Sequence, residues 1–320
     1  MARKFDAAVM HDFYIDRLLF AGSIAKFTGT VGSKAAGGGG GVHGASQEDV
    51  RGGNAVNLAH ALARLGLRVL LITHSDRVHE GVLKQTFEGL DVELRVKPRP
   101  TALTVAIEGE VNVMLGDGKG ASDFGPSLLD AGDWAALKRS RVVCSVNWSI
   151  NRRGTQLLLA LRRRLGPEKP IFIDPADFRD RGEDAVVLLE TLASRRVVDW
   201  VSMNENEAEA AAKSLGLGAA DPGGVCLALA RKLGVVFDLH GARASYTSEG
   251  TRVVTVPVNS VAARRLTGAG DVWDAGAIYG RLKGMDEESR LRFANRTARA
   301  FIRSRGHVPP TLAQVRREAG

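Results

Sequence analysis

The sequence predicts an α/β protein whose mostly parallel sheet is covered by helices on both faces and carries a small β lid. Three observations lead there. Short β-rich runs alternate with helical runs along most of the 320 residues, the pattern of repeated βα units. Two stretches, 18–47 and 92–120, break that pattern and are expected to form the lid. Hydrophobic residues make up 44% of the chain, enough for one sizeable core spanning 1–320.

In chain order, an apolar first strand through Ala7-Ala8-Val9-Met10 runs into His11-Asp12, with Asp16 close behind. Further strands are expected at 69–73, 142–146, 170–174, 198–203 and 235–239. Helical spacing predicts helices at 55–65, 130–138, 155–165, 185–194, 205–215, 223–233, 271–283 and 290–302. The stretch 92–120 reads as two or three short strands, 103–107 and 111–115 among them. The run Gly37-Gly38-Gly39-Gly40-Gly41 has no strong strand before it and no helix after it. It is a poor phosphate loop and reads as a flexible part of the lid.

Composition excludes several classes. There is no run of 18 or more apolar residues, so no membrane span is expected, and the apolar start is too short for a signal peptide. Cys144 and Cys226 sit in apolar surroundings and read as reduced core residues of a cytoplasmic protein. The net charge of +8 is scattered, with local clusters such as Arg162-Arg163-Arg164 and Arg316-Arg317. On helices these are solvated faces rather than a nucleic-acid footprint, while the positive field draws anionic substrates. Heavy use of arginine with little glutamine or cysteine points weakly to a thermophilic source. No G-x-x-x-x-G-K-[ST] is present and no G-x-G-x-x-G sits between an early strand and helix, which argues against a P-loop enzyme and a dinucleotide dehydrogenase.

The chemistry concentrates in Thr267-Gly268-Ala269-Gly270-Asp271, followed at once by a helix-compatible run. Free N–H groups at a glycine-lined helix start hold an anion. A carboxylate in the first turn is favoured by the helix dipole and is expected to stay ionised. Together they suit phosphoryl transfer to a hydroxyl. A plain helix-capping turn has the same appearance.

Four further motifs line up with this one: Asp12 and Asp16 after the first strand, Gly52-Gly53-Asn54-Ala55-Val56-Asn57, Asn204-Glu205-Asn206-Glu207, and Leu239-His240-Gly241-Ala242-Arg243. In this order they resemble the ribokinase-like (pfkB) carbohydrate kinase family over nearly the whole chain. The resemblance implies a three-layer α/β/α sandwich with a small β lid. It implies Asp271 as catalytic base, with Gly268, Ala269 and Gly270 as the anion hole. It places Asp16, Gly53, Asn54 and Asn57 at the acceptor. It places Asn204, Glu207, His240, Gly241, Thr267 and Asn295 at the nucleotide, with Mg2+ held near Glu207 through water, and Arg179 of Asp174-Pro175-Ala176-Asp177-Phe178-Arg179 near the phosphates. Simpler roles stand beside these: Asn54 as a helix cap, Asn204 with Glu207 as a capping box, Arg179 in a surface salt bridge.

The chain departs from the family at three places. Arg265 stands where relatives hold a monovalent cation with an aspartate, and a guanidinium has no acceptor to offer one. Turnover is therefore expected to be independent of potassium. His11 replaces a glycine and Asp238 a common threonine, which leads us to expect changes at the acceptor and nucleotide sites. The cations His11, Lys26, Lys34, His43 and Arg51 surround the expected acceptor pocket. Arg51 suits a phosphate, so the acceptor is expected to be a sugar or sugar phosphate, ribose 1-phosphate being one candidate. A nucleoside or inositol is the alternative, and a catalytically silent sugar- or nucleotide-binding protein a third. ATP is the expected donor, with ADP also open, in a monomer or homodimer that binds neither nucleic acid nor membrane.

Overall fold

The computed structural model describes residues 4–109, 112–259, 261, 267–304 and 306–318. Arg265 lies outside these residues. The first half of the chain runs β1 (Phe5–His11), β2 (Tyr14–Phe20), α1 (Ile24–Ala36), β3 (Ser46–Gly52), α2 (Asn54–Arg64), β4 (Val69–Ser75), α3 (Glu80–Thr86), β5 (Val92–Pro98), β6 (Ala102–Glu108), β7 (Asn112–Asp117), α4 (Ala131–Lys138) and β8 (Ser140–Val146). The second half runs α5 (Gly154–Leu165), β9 (Ile171–Asp174), α6 (Glu183–Arg195), β10 (Trp200–Asn204), α7 (Glu205–Ser214), α8 (Pro222–Leu233), β11 (Val236–His240), β12 (Ala244–Ser248), β13 (Val253–Pro257), α9 (Ala269–Leu282), α10 (Glu287–Arg303) and α11 (Leu312–Arg317).

Nine strands form the main sheet in the order β13-β12-β11-β10-β9-β8-β1-β4-β5. From β11 to β5 all neighbours are parallel, and β12 and β13 add an antiparallel edge. The central strands β1 and β4 read FDAAVMH and VLLITHS and are almost entirely buried, as strands covered on both faces must be. Alternate residues of β1 enter different cores. Ala8 and Met10 pack with α4 to α8, whereas Ala7 and Val9 pack with α2, α9 and α10. The two cores make the three layers of a ribokinase-like α/β/α sandwich.

A second sheet, in the order β3-β2-β6-β7, stands beside the first. β5 does not belong to it. Its residues 92–98 pair in parallel with β4 at the edge of the main sheet, because Val92, Leu94 and Val96 pack on the core. The stretch 18–47 also holds a helix that its composition did not signal. Ser23 caps α1 by accepting the Lys26 N–H, Gly37 ends it, and none of its residues is buried. The five glycines are thus the exit from α1 toward β3. Cys144 and Cys226 are free and buried. Among the described residues no helix is long and apolar enough to cross a membrane.

Connections leave β1 toward β4 on one side, while β8 returns on the other, so a crevice opens beyond the carboxyl ends of β1 and β8. Ligands of open parallel sheets bind in such a crevice.

Candidate active site

Asp12, at the end of β1, builds the crevice. Its carboxylate accepts the Asn54 and Ala55 N–H groups at 2.9 Å each and the Asn147 amide at 2.8 Å. Asp12 therefore caps α2. The alternative role of Asn54 as that helix's cap is overturned, since the N-cap is Gly53 and makes no side-chain cap bond. Gly53 has φ +98°, and an added Cβ would lie 2.8 Å from the Asp12 carbonyl oxygen, so only glycine fits this turn. Asn54 is left free to hydrogen bond with Asp271.

Asp271 sits in the first turn of α9, whose N-cap is Gly268 at φ +81°. The N–H groups of Ala269, Gly270 and Asp271 precede the first intrahelical bond, from Val272 to the Gly268 carbonyl, so Ala269 and Gly270 of the 268–270 cradle read from the sequence have N–H groups outside the helix ladder. The Asp271 carboxylate accepts the Asn57 amide at 2.9 Å. The expectation that the dipole keeps Asp271 ionised omitted burial. Loss of solvent, then the negative charge of Asp174, hold its carboxyl well above the usual carboxylate range, and the Asn57 and Asn54 hydrogen bonds offset only part of this. A carboxyl poised upward is a stronger base when it does ionise.

More carboxyl groups gather behind it. Asp174 ends β9 and hydrogen bonds with Asp274, one turn along α9 from Asp271, an arrangement that needs a proton between them. The Ser202 hydroxyl donates to Asp274 at 2.6 Å. Burial pushes Asp174 up to about 6. Glu207 is pushed up to about 8 by burial and by Asp174. Glu207 also closes a capping box with Asn204, with bonds of 2.9 and 3.0 Å, so the structural role weighed for this pair is present. Arg179 lies in a two-pronged ion pair with Asp177 at 2.6 and 2.8 Å, with both side chains more than half exposed. Its charge still reaches Glu207.

On the nucleotide side lies a cavity of about 570 Å³ lined by Asn204, His240, Gly241, Gly270, Trp273 and Asn295, among others. The His240 and Trp273 rings lie 5.1 Å apart, and burial pushes His240 down to about 4, so it is neutral at pH 7. Gly241 leaves room for Glu205, whose Oε1 would lie 2.0 Å from an added Cβ. Asn295 accepts hydrogen bonds from Ser245 and from Trp273 Nε1.

On the acceptor side a small cavity of about 40 Å³ is lined by Asp16, Arg51, Asn57, Glu108, Thr267, Gly268 and His307, with apolar neighbours. Asp16 lies over Gly52, where a Cβ would come within 1.9 Å of its carboxylate. The cation-rich pocket expected from the sequence is only partly assembled. Lys26, Lys34 and His43 are exposed. His11 is buried against Phe124 and pushed down to about 4 by burial, so it carries no charge at neutral pH. Asp238 is likewise absent from the nucleotide cavity; it pairs with Arg290 in the core.

The sequence reading assigned no role to Asp12, Asn147, Ser202, Asp274 or Glu108. Asp12 was visible beside Asp16 after the first strand, and Asp274 just after the 267–271 motif, but their partners lie on other strands and helices.

Residues 21–313 match the pfkB family carbohydrate kinase. No curated protein matches the chain by sequence. Among solved structures, adenosine kinase from Sinorhizobium meliloti superposes with a TM-score of 0.79 at 20% identity, covering 99% of this chain and 100% of its own. Ribokinase from Thermotoga maritima gives 0.78 at 18% identity over 98% and 99% of the two chains. Arabidopsis thaliana ribokinase, solved with ribose and ATP, gives 0.75 at 18% identity over 99% of each.

Proposed function

We propose that this chain, which belongs to the pfkB family of carbohydrate kinases, transfers the terminal phosphoryl group of ATP to a hydroxyl of a sugar or nucleoside, with Asp271 as the base. The observation that carries this reading is the union of two features at one helix start. A glycine-lined cradle of free N–H groups and a buried, Asn-held carboxyl both belong to the first turn of α9.

In this mechanism Asp271 accepts the acceptor's hydroxyl proton as the oxygen attacks the terminal phosphorus in line. The amides of 268–270 stabilise the charge on the transferred group. The cavity beside His240 and Trp273 is large enough for a nucleotide, and neutral His240 adds no charge there. Mg2+ suits the carboxylate oxygens present, since Glu207 and Asp174 are buried acids and the charge of Asp174 raises the proton affinity of Glu207. A divalent cation would relieve that repulsion, held by Glu207 through water. When bound, it neutralises developing phosphate charge. The acceptor cavity has room for a few waters, so the small sheet has to move outward to admit a sugar and then close to exclude water.

The acceptor wall favours an uncharged polyol. Asp16 and Glu108 bring two carboxylates, which bind vicinal hydroxyls and repel a phosphate. A sugar phosphate such as ribose 1-phosphate retains one supporting observation: Arg51 and His307 line the same cavity. The test is a phosphotransfer screen with Mg2+, setting ATP and ADP against pentoses, hexoses, ribose 1-phosphate, nucleosides and inositol. Turnover of an uncharged sugar or nucleoside with ATP is expected. Turnover of phosphorylated acceptors alone would reverse the acceptor assignment, and binding without transfer would leave a silent binding protein.

A further inference from the structure

We propose that Arg51 is a positioning residue that locks Asn57 onto Asp271 and so fixes the base from the root of the small sheet. Arg51 stands one residue before the Gly52 that closes β3. Its Nη1 donates to Asn57 Oδ1 at 2.6 Å, and Asn57 Nδ2 donates to Asp271 Oδ2 at 2.9 Å. A guanidinium only donates, so the amide atom facing it has to be oxygen, and the NH2 is turned toward Asp271. Without Arg51 that orientation loses its enforcement, and a flipped amide would set oxygen against carboxylate.

Arg51 is itself held. Its Nη2 meets His60 Nδ1 at 2.6 Å and the His307 carbonyl at 3.3 Å. His60 has to offer a lone pair there, and burial together with Arg51 and Arg64 pushes it down to about 3, so the ring is neutral. The guanidinium is thereby committed to α2 and to the segment after α10. The arrangement fixes Asp271 Oδ2 against Asn57. It rests on the reading of Asp271 as base. The other acids facing Asp271 are Asp12 after β1, Asp174 on β9 and Asp274 on its own helix, with neutral His240 across Gly270. All of these are unchanged in the variants below.

The test is an NMR titration of Asp271 in protein carrying 13C-labelled aspartate, with the signal assigned by its loss in Asp271→Asn. An amide N–H on the ionised carboxylate lowers its pKa. Arg51→Met is therefore expected to raise the Asp271 pKa by about one unit, and Asn57→Ala to raise it similarly. The double variant should match Asn57→Ala alone, and Arg51→Lys should recover part of the shift. No shift in Arg51→Met, or an undiminished further shift in the Asn57→Ala background, would overturn the proposal, the latter by showing a direct charge effect. Transfer assays with the screened acceptor give a second readout: kcat falls in Arg51→Met while the acceptor KM holds. A rise in KM confined to phosphorylated acceptors would instead make Arg51 a phosphate ligand. Persisting transfer by Asp271→Asn would sink the base assignment while leaving the titration result to be judged on its own.

Discussion

Two groups of buried charges lie along the same sheet and are built in opposite ways. In the body of the sheet, Arg290 on α10 is fully buried and saturated. It makes two bonds to Asp238 at 2.6 and 2.9 Å, two to Glu287 and one to Thr247, while Trp200 Nε1 donates to Asp238 as well. At the carboxyl ends of the strands, Asp12, Asp174, Glu207, Asp271 and Asp274 crowd together, and burial raises the pKa of every one. Among the described residues, the crevice offers this group amides and hydroxyls rather than a buried guanidinium. A buried ion that is paired and hydrogen-bonded on all sides serves the fold. Buried acids left in mutual repulsion mark a place shaped for something that arrives.

If this contrast is right, the two groups fail differently. The largest effect on folding is expected from Asp238→Ala, which leaves Arg290 buried without its main partner. It should cost about 3–5 kcal/mol of stability, read by urea denaturation. Next comes Gly52→Ala, whose Cβ would collide with Asp16. It should cut kcat/KM for the acceptor by roughly 100-fold and leave donor affinity unchanged, as steady-state kinetics would show. A smaller effect of opposite sign is expected from Asp274→Asn. Asparagine can still accept from Ser202 and donate to Asp174, but never ionises. The folded-state pKa of Asp274 is raised, so its contribution to stability is fully present below the unfolded carboxylate pKa and is lost as pH rises through the folded one. Thermal melts of Asp274→Asn and wild type should coincide near pH 4 and separate toward pH 8, with the variant more stable by about 1 kcal/mol. The smallest effect is expected from Arg179→Gln, whose ion pair is exposed; its melting temperature should match wild type.

How much of this was legible in the sequence follows the range of the interactions. The βα alternation was readable because buried parallel strands such as β4 and amphipathic helices such as α2 announce themselves locally. The strands 69–73 and 142–146 fall within β4 and β8, and 235–239 overlaps β11. α1 was missed because it buries nothing and has only Ser23 and Gly37 to mark its ends. β5 was misassigned to the small sheet because its pairing with β4 is set by tertiary packing. At the site, the glycines that permit close approach were readable from their motifs. The Asp174–Asp274 pair was not, since it joins a strand end to a helix 100 residues along the chain. Nor was the engagement of Arg51 by Asn57 and His60, which changes an apparent phosphate ligand into a brace.

The most direct test of the account is to measure turnover and melting temperature together for Asp271→Asn. The amide removes the base and also one charge from the repelling acids. The account predicts a fall in kcat of about 1,000-fold or more, with a melting temperature equal to or above that of wild type. Turnover near the wild-type rate, or a variant that loses activity only because it melts, would contradict it.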